Sequence, residues 1–222
     1  MLKTTKKMIV LDIETSGLYP EKHGIWQIGA MELEDPSNIF MQEGRIDEDE
    51  EVFPQALDVI DRTEEQLRDK TKQSVKELLE SFFKWCAKIK NKNCICQNPV
   101  FDLGFITEKA RKHNIEPITP YRSFDLHAIA GLRYHQLHHK FLTSEKTNNS
   151  DMGLSNILKF CGMNDTRRSV DVKTRKVLRE GTMHNALEDV KLTAECFSRL
   201  VYGKELLQEF KNQPIPKYLT PL

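Results

Sequence analysis

Two carboxylates interrupt the most apolar strand-like segment of the chain. Residues 8–13 read Met-Ile-Val-Leu-Asp-Ile, a short β-branched run that predicts a buried strand, and Asp12 and Glu14 fall at its end. Side chains two residues apart on a strand share a face, so both carboxylates project together. Partly buried charges of one sign repel each other and lose hydration, and a hard cation such as Mg²⁺ removes that penalty. A strand that simply ends with two exposed acids is the alternative that this pair leaves open.

Three further side chains have the chemistry to complete such a site. Asp102 stands among apolar residues in the segment 100–106, where it also suits the first turn of a helix. Asp189 falls in the first turns of the last predicted helix, and His184 precedes Asn185, its predicted N-cap. A histidine that titrates near pH ~6.5 is suited to take a proton from a metal-bound water. Taken singly, each of these residues is adequately explained by a position at a helix start or on the surface.

The elements that must position these residues alternate in type along the chain. Strands are predicted at residues 8–13, 25–33, 39–46, 93–97 and 123–126, and helices at 63–89, 103–114 and 187–201. Strands first, then strands alternating with helices, predict an α/β domain with a mixed central sheet flanked by helices. The acidic run 47–51 is predicted to be a solvated loop, and residues 133–151, rich in His, Lys and Asn, a long mobile loop.

Composition excludes several classes of protein. The 222 residues carry 33 Lys+Arg and 33 Asp+Glu, and this zero net charge excludes a protein that coats nucleic acid by bulk charge, although not one with a local basic groove. Apolar residues make up 39% and charged ones 30%, the balance of a folded globular chain. No apolar run approaches the ~18 residues of a membrane span. Five scattered cysteines, an odd number, predict a reducing, cytoplasmic location.

Taken together, the polar residues stand in motifs that resemble a known enzyme family. The motifs occur in the order Leu-Asp-Ile-Glu-Thr-Ser-Gly-Leu (11–18), Ile-Trp-Gln-Ile-Gly-Ala (25–30), Asn-Pro-Val-Phe-Asp-Leu-Gly-Phe (98–105) and His-Asn-Ala-Leu-Glu-Asp (184–189). Over roughly residues 8–201, this set is similar to the DEDDh, or DnaQ-like, 3′-to-5′ exonucleases. Within that family, the chain most resembles the proofreading (epsilon) subunits of bacterial DNA polymerase III.

The chain departs from the family pattern at a few positions, but none of these is one of the four carboxylates or the histidine. Ser16 stands where a second Thr is frequent, Gln97 stands where a His is frequent, and residues 133–151 have no clear counterpart. These differences put substrate choice in question rather than activity.

The resemblance implies an RNase H-like fold and a two-metal mechanism with Mg²⁺ or Mn²⁺. By position, Asp12 would bridge both ions. Glu14 and Asp189 would hold the ion that activates water, and Asp102 would support the second ion. His184 would be the general base, and 5′-mononucleotides would leave one at a time from a single-stranded 3′ end.

The resemblance also implies how the 3′-terminal nucleotide is held. The backbone near Thr15 and Leu18 would meet its sugar and base, with Asn98 of the second motif and the ring of Phe101 beside it. A stacking ring does not select between bases. Phe101 suits core packing equally well, and Phe105 is expected in the core.

The sequence leaves the substrate class and the partners open. DNA of the proofreading or repair type is the leading substrate, an RNA-trimming enzyme like RNase T or oligoribonuclease is the alternative, and an inactive binding or docking subunit is less favoured because every metal ligand is present. Residues 1–203 are predicted to form the exonuclease domain, and 204–222 the end of the last helix with a Pro-containing tail. That tail is a candidate docking segment for a polymerase or for a second copy in a homodimer.

A cluster of cations before His184 is predicted to meet the phosphate backbone. It comprises Arg167, Arg168, Lys173, Arg175, Lys176 and Arg179. A solvated surface is an equally good explanation of this cluster.

Overall fold

The apolar segment that carries Asp12 and Glu14 is the middle strand of a five-stranded sheet. The computed structural model describes residues 8–89, 93–118, 122–171 and 174–220. The strands are β1 (Met8–Thr15), β2 (Ile25–Glu32), β3 (Asp35–Glu43), β4 (Asn93–Cys96) and β5 (Ser123–Asp125), in the spatial order β3-β2-β1-β4-β5. Strand β2 pairs antiparallel with both β1 and β3. Strand β4 pairs parallel with β1, and β5 pairs parallel with β4. The predicted mixed sheet is confirmed.

Helices cover both faces of this sheet. They are α1 (Pro54–Ile60), α2 (Glu64–Leu67), α3 (Val75–Cys86), α4 (Pro99–Lys112), α5 (Leu126–His138), α6 (Leu154–Phe160) and α7 (Ala186–Tyr202). Ile9, Leu11 and Ile13 of β1 pack in the core with α3 and α4. Met8 and Val10 pack in the opposite core with α5, α6 and α7. Burial on both faces explains why β1 is a continuous apolar run, and the mixed sheet flanked by helices is the RNase H-like arrangement predicted.

The predicted helix at 63–89 is wrong as one continuous element. It is two helices, α2 and α3, separated by residues 68–74. Ser74 ends this interruption, because its hydroxyl accepts a hydrogen bond from the Glu77 N–H while the Glu77 side chain bonds back to the Ser74 N–H. Such a reciprocal capping box begins a new helix wherever it forms.

Two predicted loops differ from the structure. In the acidic run, Glu50 is buried, with a carboxylate oxygen 2.6 Å from Lys109 Nζ of α4. Lys112 Nζ lies 2.8 Å from Asp47, so the basic face of α4 holds this run against the domain. Residues 133–138, predicted as the start of a long loop, continue helix α5.

The segment after α7 packs against the domain. Both Leu206 and Leu207 donate backbone N–H bonds of 2.9 Å to the fully buried carboxylate of Glu195. Arg199, also fully buried, pairs with Glu195 at 2.7 Å. Leu219 is buried in the core formed with α6 and α7. Residues 221 and 222 of the predicted tail lie outside the described part of the chain.

Gly29 of β2 lets the start of α7 approach the sheet. In the β1–β2 pairing it lies opposite Asp12. A Cβ atom added at Gly29 would fall 2.4 Å from the carbonyl carbon of Ala186, the first residue of α7. Gln27 of the same strand accepts a 2.8 Å hydrogen bond from the Ala186 N–H. Strand β2 therefore fixes the first turns of α7, which carry Asp189, beside β1.

Replacing Gly29 by Ala is expected to lower the free energy of unfolding by about 1–3 kcal/mol, because the added methyl group meets helix backbone rather than a flexible side chain. Urea denaturation measures the change. Gly104→Ala is the matched control. Among the described residues, no heavy atom lies within 4 Å of its added Cβ, and Ala inside a helix should raise stability by roughly 0.5–1 kcal/mol. Equal effects of the two substitutions would contradict the close approach of β2 and α7.

Candidate active site

The end of β1 and the first turns of α4 and α7 meet around one pocket of about 220 Å³. The three elements come from distant parts of the chain, so only the fold brings them together. The pocket is lined by Asp12, Ile13, Glu14, Gln97, Asn98, Phe101, Asp102, His184 and Asp189. All five residues predicted to carry the chemistry are therefore neighbours, together with Asn98 and Phe101 of the predicted substrate contacts.

Asp102 is fixed to β1 by the way α4 begins. Its Oδ1 accepts a 3.2 Å hydrogen bond from the Ile13 N–H of β1. Helix α4 begins at Pro99, earlier than predicted, after Asn98 in the left-handed conformation at φ 67°. Asn tolerates this conformation better than most residues, and its N–H donates to Asp125 Oδ1 at 3.1 Å. Proline suits the first helical position because its missing N–H is not needed there.

His184 is oriented by two neighbours. Its Nε2 lies 3.0 Å from the carbonyl oxygen of Arg168. Because a carbonyl only accepts hydrogen bonds, Nε2 carries the hydrogen and Nδ1 faces Asp189, with 3.6 Å between Nδ1 and Asp189 Oδ2. One ligand atom each from Glu14, His184 and Asp189 lies within 4.8 Å of the others. Asn185 caps α7 as predicted, accepting from the N–H of Leu187.

The carboxylates raise one another's pKa values. Burial is the largest cause for Asp12, whose pKa lies well above its usual range, and the charges of Asp189, Asp102 and Glu14 add to it. Burial, then the charge of Asp189, raises the pKa of Glu14 to about 8. Burial also raises the pKa of Asp102 to about 8, although the hydrogen bond from the Ile13 N–H acts to lower it.

The pKa of His184 is raised as well. Burial alone lowers its pKa, but the Asp189 carboxylate that faces Nδ1, with the charge of Glu14, outweighs burial and raises it. The carboxylate oxygens are a donor set that suits a hard divalent cation, and such a cation would relieve the repulsion that these pKa values express.

Arg167 is a member of this site that sequence reasoning placed elsewhere. The prediction that it contacts phosphate is wrong, because its guanidinium is buried against acids. Nη1 lies 3.2 Å from Asp189 Oδ2, and Nε lies 3.0 Å from Asp165 Oδ1. Asp165, two residues earlier, was the one local signal of this pairing. Arg167 supplies positive charge beside the acids and fixes the orientation of Asp189.

Other cations of the predicted phosphate-binding cluster are also paired. Most of them lie in the hairpin of β6 (Ser169–Val170) and β7 (Val177–Arg179) or just beside it. Arg175 Nη2 donates to Asp58 Oδ1 of α1 at 2.8 Å, and Arg179 Nη2 lies 2.8 Å from Asp165 Oδ2. The pair of Arg175 and Asp58 anchors the hairpin to α1, and both pairs neutralise positive charge on the hairpin. Lys173 lies outside the described residues.

A second pocket of about 220 Å³ adjoins the first. Both pockets share Ile13, Glu14 and Phe101. The second is otherwise lined by Thr15, Gly17 and Leu18 after β1, and by Phe53, Gln55, Ala56, Val59 and Ile60 at α1. It thus gathers the remaining predicted substrate contacts, Thr15 and Leu18. Helix α1 is a wall of this pocket that the sequence did not reveal.

The two phenylalanines of the second motif, Phe101 and Phe105, differ in burial. Phe105 is fully buried in the core, as expected. Phe101 is half-buried, lies 4.9 Å from Phe105 between ring centroids, and lines both pockets. Its ring is therefore available to a ligand as well as to the core.

The fold is similar to those of solved nucleases. The nuclease domain of 3′hExo, a DEDDh family member bound to rAMP, matches with a TM-score of 0.64 at 15% identity, over 94% of this chain and 98% of that one. Cell-death related nuclease 4 (CRN-4) matches at 0.65 and 15%, over 90% and 65%. E. coli exonuclease I in complex with an oligonucleotide matches at 0.62 and 14%, over 90% and 41%. This chain therefore spans less than two thirds of CRN-4 and less than half of exonuclease I.

The chain thus has the fold of a DEDDh-type nuclease domain. The model of the family RNase_T, described as "Exonuclease", matches residues 9–197, and the chain belongs to this family. No curated protein matches the chain in sequence. Within the described ranges, no helix is long and apolar enough to cross a membrane.

Metal-free protein is expected to lose stability as the pH rises from about 5 to about 8. Folded Glu14 and Asp102 retain protons there, whereas the same groups in the unfolded chain release them, so the folded state binds more protons. The loss should exceed about 1.4 kcal/mol, the equivalent of one pKa unit. Urea denaturation in EDTA across this range measures it. Glu14→Gln should flatten the slope, and a parent stability that rises with pH would contradict the mutual repulsion.

Proposed function

We propose that this protein hydrolyses phosphodiester bonds at single-stranded 3′ ends, releasing 5′-mononucleotides. The observation that carries the proposal is the convergence of four acids and His184 on one pocket that opens into a second, largely apolar pocket. The first pocket suits a phosphate with divalent cations, and the second suits a flat apolar base.

The acids would hold the metal ions. Asp12, Glu14, Asp102 and Asp189 supply the oxygen ligands for two divalent ions, Mg²⁺ or Mn²⁺. When bound, such a pair stabilises the attacking and leaving oxygens of a phosphoryl displacement. Arg167 and the backbone N–H of Ile13 hold Asp189 and Asp102 in place for this task.

His184 would act as the general base at Nδ1. Its Nε2–H bond to the Arg168 carbonyl keeps the ring aimed at the acids and stabilises the imidazolium that forms when Nδ1 takes a proton. The neighbouring Asp189 carboxylate stabilises the same cation.

The 3′-terminal nucleotide would occupy the second pocket. Phe101 borders both pockets, so a nucleotide with its phosphate at the acids places its base beside this ring. Leu18, 58% exposed, stands at the rim, and Thr15 and Asn98 flank the passage between phosphate and base. A base in such a pocket must be unpaired, and this favours single-stranded ends.

DNA of the proofreading type is the leading substrate, on the resemblance to epsilon subunits. RNA is the second candidate, because solved neighbours include a domain bound to rAMP as well as an exonuclease I–ssDNA complex. A polymerase or a second copy would have to dock on the outer surface of residues 204–219, since this segment packs on its own domain. A cytoplasmic location stays a prediction.

Asp12→Asn is expected to reduce hydrolysis to background, because the amide removes a ligand from the centre of the acid pocket. The assay uses 5′-labelled single-stranded DNA and RNA of equal sequence with Mg²⁺, Mn²⁺ or EDTA. The parent should give a ladder that shortens from the 3′ end and disappears in EDTA. Asp35→Asn, at the exposed first residue of β3, should behave as the parent. No degradation by the parent with either metal would refute the nuclease and favour a binding subunit.

His184→Ala is expected to lower kcat by about 10²–10⁴-fold, the usual contribution of a general base. In the parent, kcat should rise with pH until His184 is deprotonated, and this limb should disappear in the variant. His139→Ala, at an exposed position after α5, is the control and should keep both rate and profile. A variant that retains the parent's pH profile would exclude His184 as the base.

A further inference from the structure

Arg167 and Arg168 direct their side chains to different partners from one segment of backbone. Pairing fixes this segment, because the Arg168 N–H donates to the Thr182 carbonyl at 2.7 Å and the Thr182 N–H donates to the Thr166 carbonyl at 2.9 Å. Neighbouring side chains on extended backbone point in opposite directions. The guanidinium of Arg167 accordingly contacts Asp189, whereas that of Arg168 contacts α1.

The side chain of Arg168 is held at the last turn of α1. Its Nη1 donates to the Asp58 carbonyl oxygen at 3.0 Å and lies 3.7 Å from Asp61 Oδ1. The last carbonyl groups of a helix lack a partner within the helix and carry partial negative charge, so a cation there is favourable. Because only 17% of the Arg168 side chain is exposed, water competes little for this contact.

The backbone of the same residue makes the contact to His184. The Arg168 carbonyl oxygen lies 3.0 Å from His184 Nε2. A shift of the Arg168 backbone would therefore move the acceptor that orients the imidazole, and Nδ1 would move with the ring. One residue thus joins two parts of the site, with its side chain on α1 and its carbonyl group on His184.

Helix α1 is the wall of the second pocket. Ala56 and Val59 line that pocket, whereas Leu57 and Asp58, on another side of the same helix, line a separate cavity of about 460 Å³ together with Arg168. The helix that would contact the terminal base is therefore the helix to which Arg168 is attached.

We propose that Arg168 is a positioning residue for hydrolysis: it ties His184 to α1, so that the imidazole keeps its place relative to a nucleotide bound against that helix. The proposal rests on the proposed function, because it needs His184 to act as the base. Misplacing a reacting group by about 1 Å can cost as much as ~10²-fold in rate. Arg168 is one of several contacts that hold this segment, so its own share is smaller.

Arg168→Met keeps the aliphatic stem and removes the donor to α1. On the strand that the parent degrades, kcat should fall about tenfold, a part of the ~10²–10⁴-fold that a general base contributes. KM should stay within about twofold, because the residues that line the second pocket are unchanged. Arg168→Lys, which keeps a cationic donor on a long stem, should recover most of the loss. Arg111→Met, the same change at an exposed position of α4, should keep the parental kcat.

The same substitution in a His184→Ala background separates positioning from a general weakening of the domain. A residue that acts through His184 has nothing to position once the imidazole is gone, so Arg168→Met should change the residual rate by less than about twofold there. Single-turnover reactions with enzyme in excess measure these slow rates. Urea denaturation checks folding, and the variant should unfold near the parental urea concentration, because Arg175 still pairs with Asp58.

Three results would overturn the assignment of Arg168 and leave the nuclease in place. The first is a parental kcat in Arg168→Met. The second is a raised KM at unchanged kcat, which would assign Arg168 to the nucleotide pocket alone. The third is an equal loss of rate with and without His184, which would make the role of Arg168 structural. Absence of cleavage of every strand by the parent refutes the nuclease, and the assignment of Arg168 with it.

Discussion

Repulsion between four carboxylates in one small pocket is the constraint that the rest of the structure must meet. Burial and mutual charge raise the pKa values of Asp12, Glu14 and Asp102. Holding such groups together costs free energy, and packing elsewhere must supply it. Strand β1 provides much of this, because its apolar side chains are buried in both cores. Gly29 completes the arrangement by allowing α7 to approach the sheet.

Local electrostatics offset part of the cost. Asp102 and Asp189 both lie in the first turn of a helix, where the helix dipole and free backbone N–H groups favour negative charge. Arg167 adds a guanidinium against Asp189, and its other edge is fixed by Asp165. The acid pocket therefore combines strong repulsion with a few fixed positive partners. A divalent cation would enter a site whose ligands are already oriented.

Sequence reasoning succeeded where periodicity and residue chemistry coincide. The period of two in β1 placed Asp12 and Glu14 on one face, and the spacing of apolar residues in α7, with Asn185 before it, located Asp189. Contacts between residues far apart in the chain could not be predicted from sequence patterns. Arg167 meets Asp189 across 22 residues, so spacing alone could not separate a buried pair from a phosphate contact. Helix α1 has seven residues, too few to show a helical period. The wall that α1, with Gln55, contributes to the second pocket was therefore not predicted. Ser74 and Glu77 did carry a readable capping signal.

The buried pair of Glu195 and Arg199 ties the last helix to the chain beyond it. Glu195 accepts the N–H groups of Leu206 and Leu207, and Arg199 donates to the carbonyl of Phe210 at 3.4 Å. Opening this segment alone would leave two buried charges with fewer partners, so the segment and α7 are expected to open together. The amide hydrogens of Leu206 and Leu207 lie outside any helix or strand, yet their exchange with solvent is then governed by global unfolding rather than by local fraying.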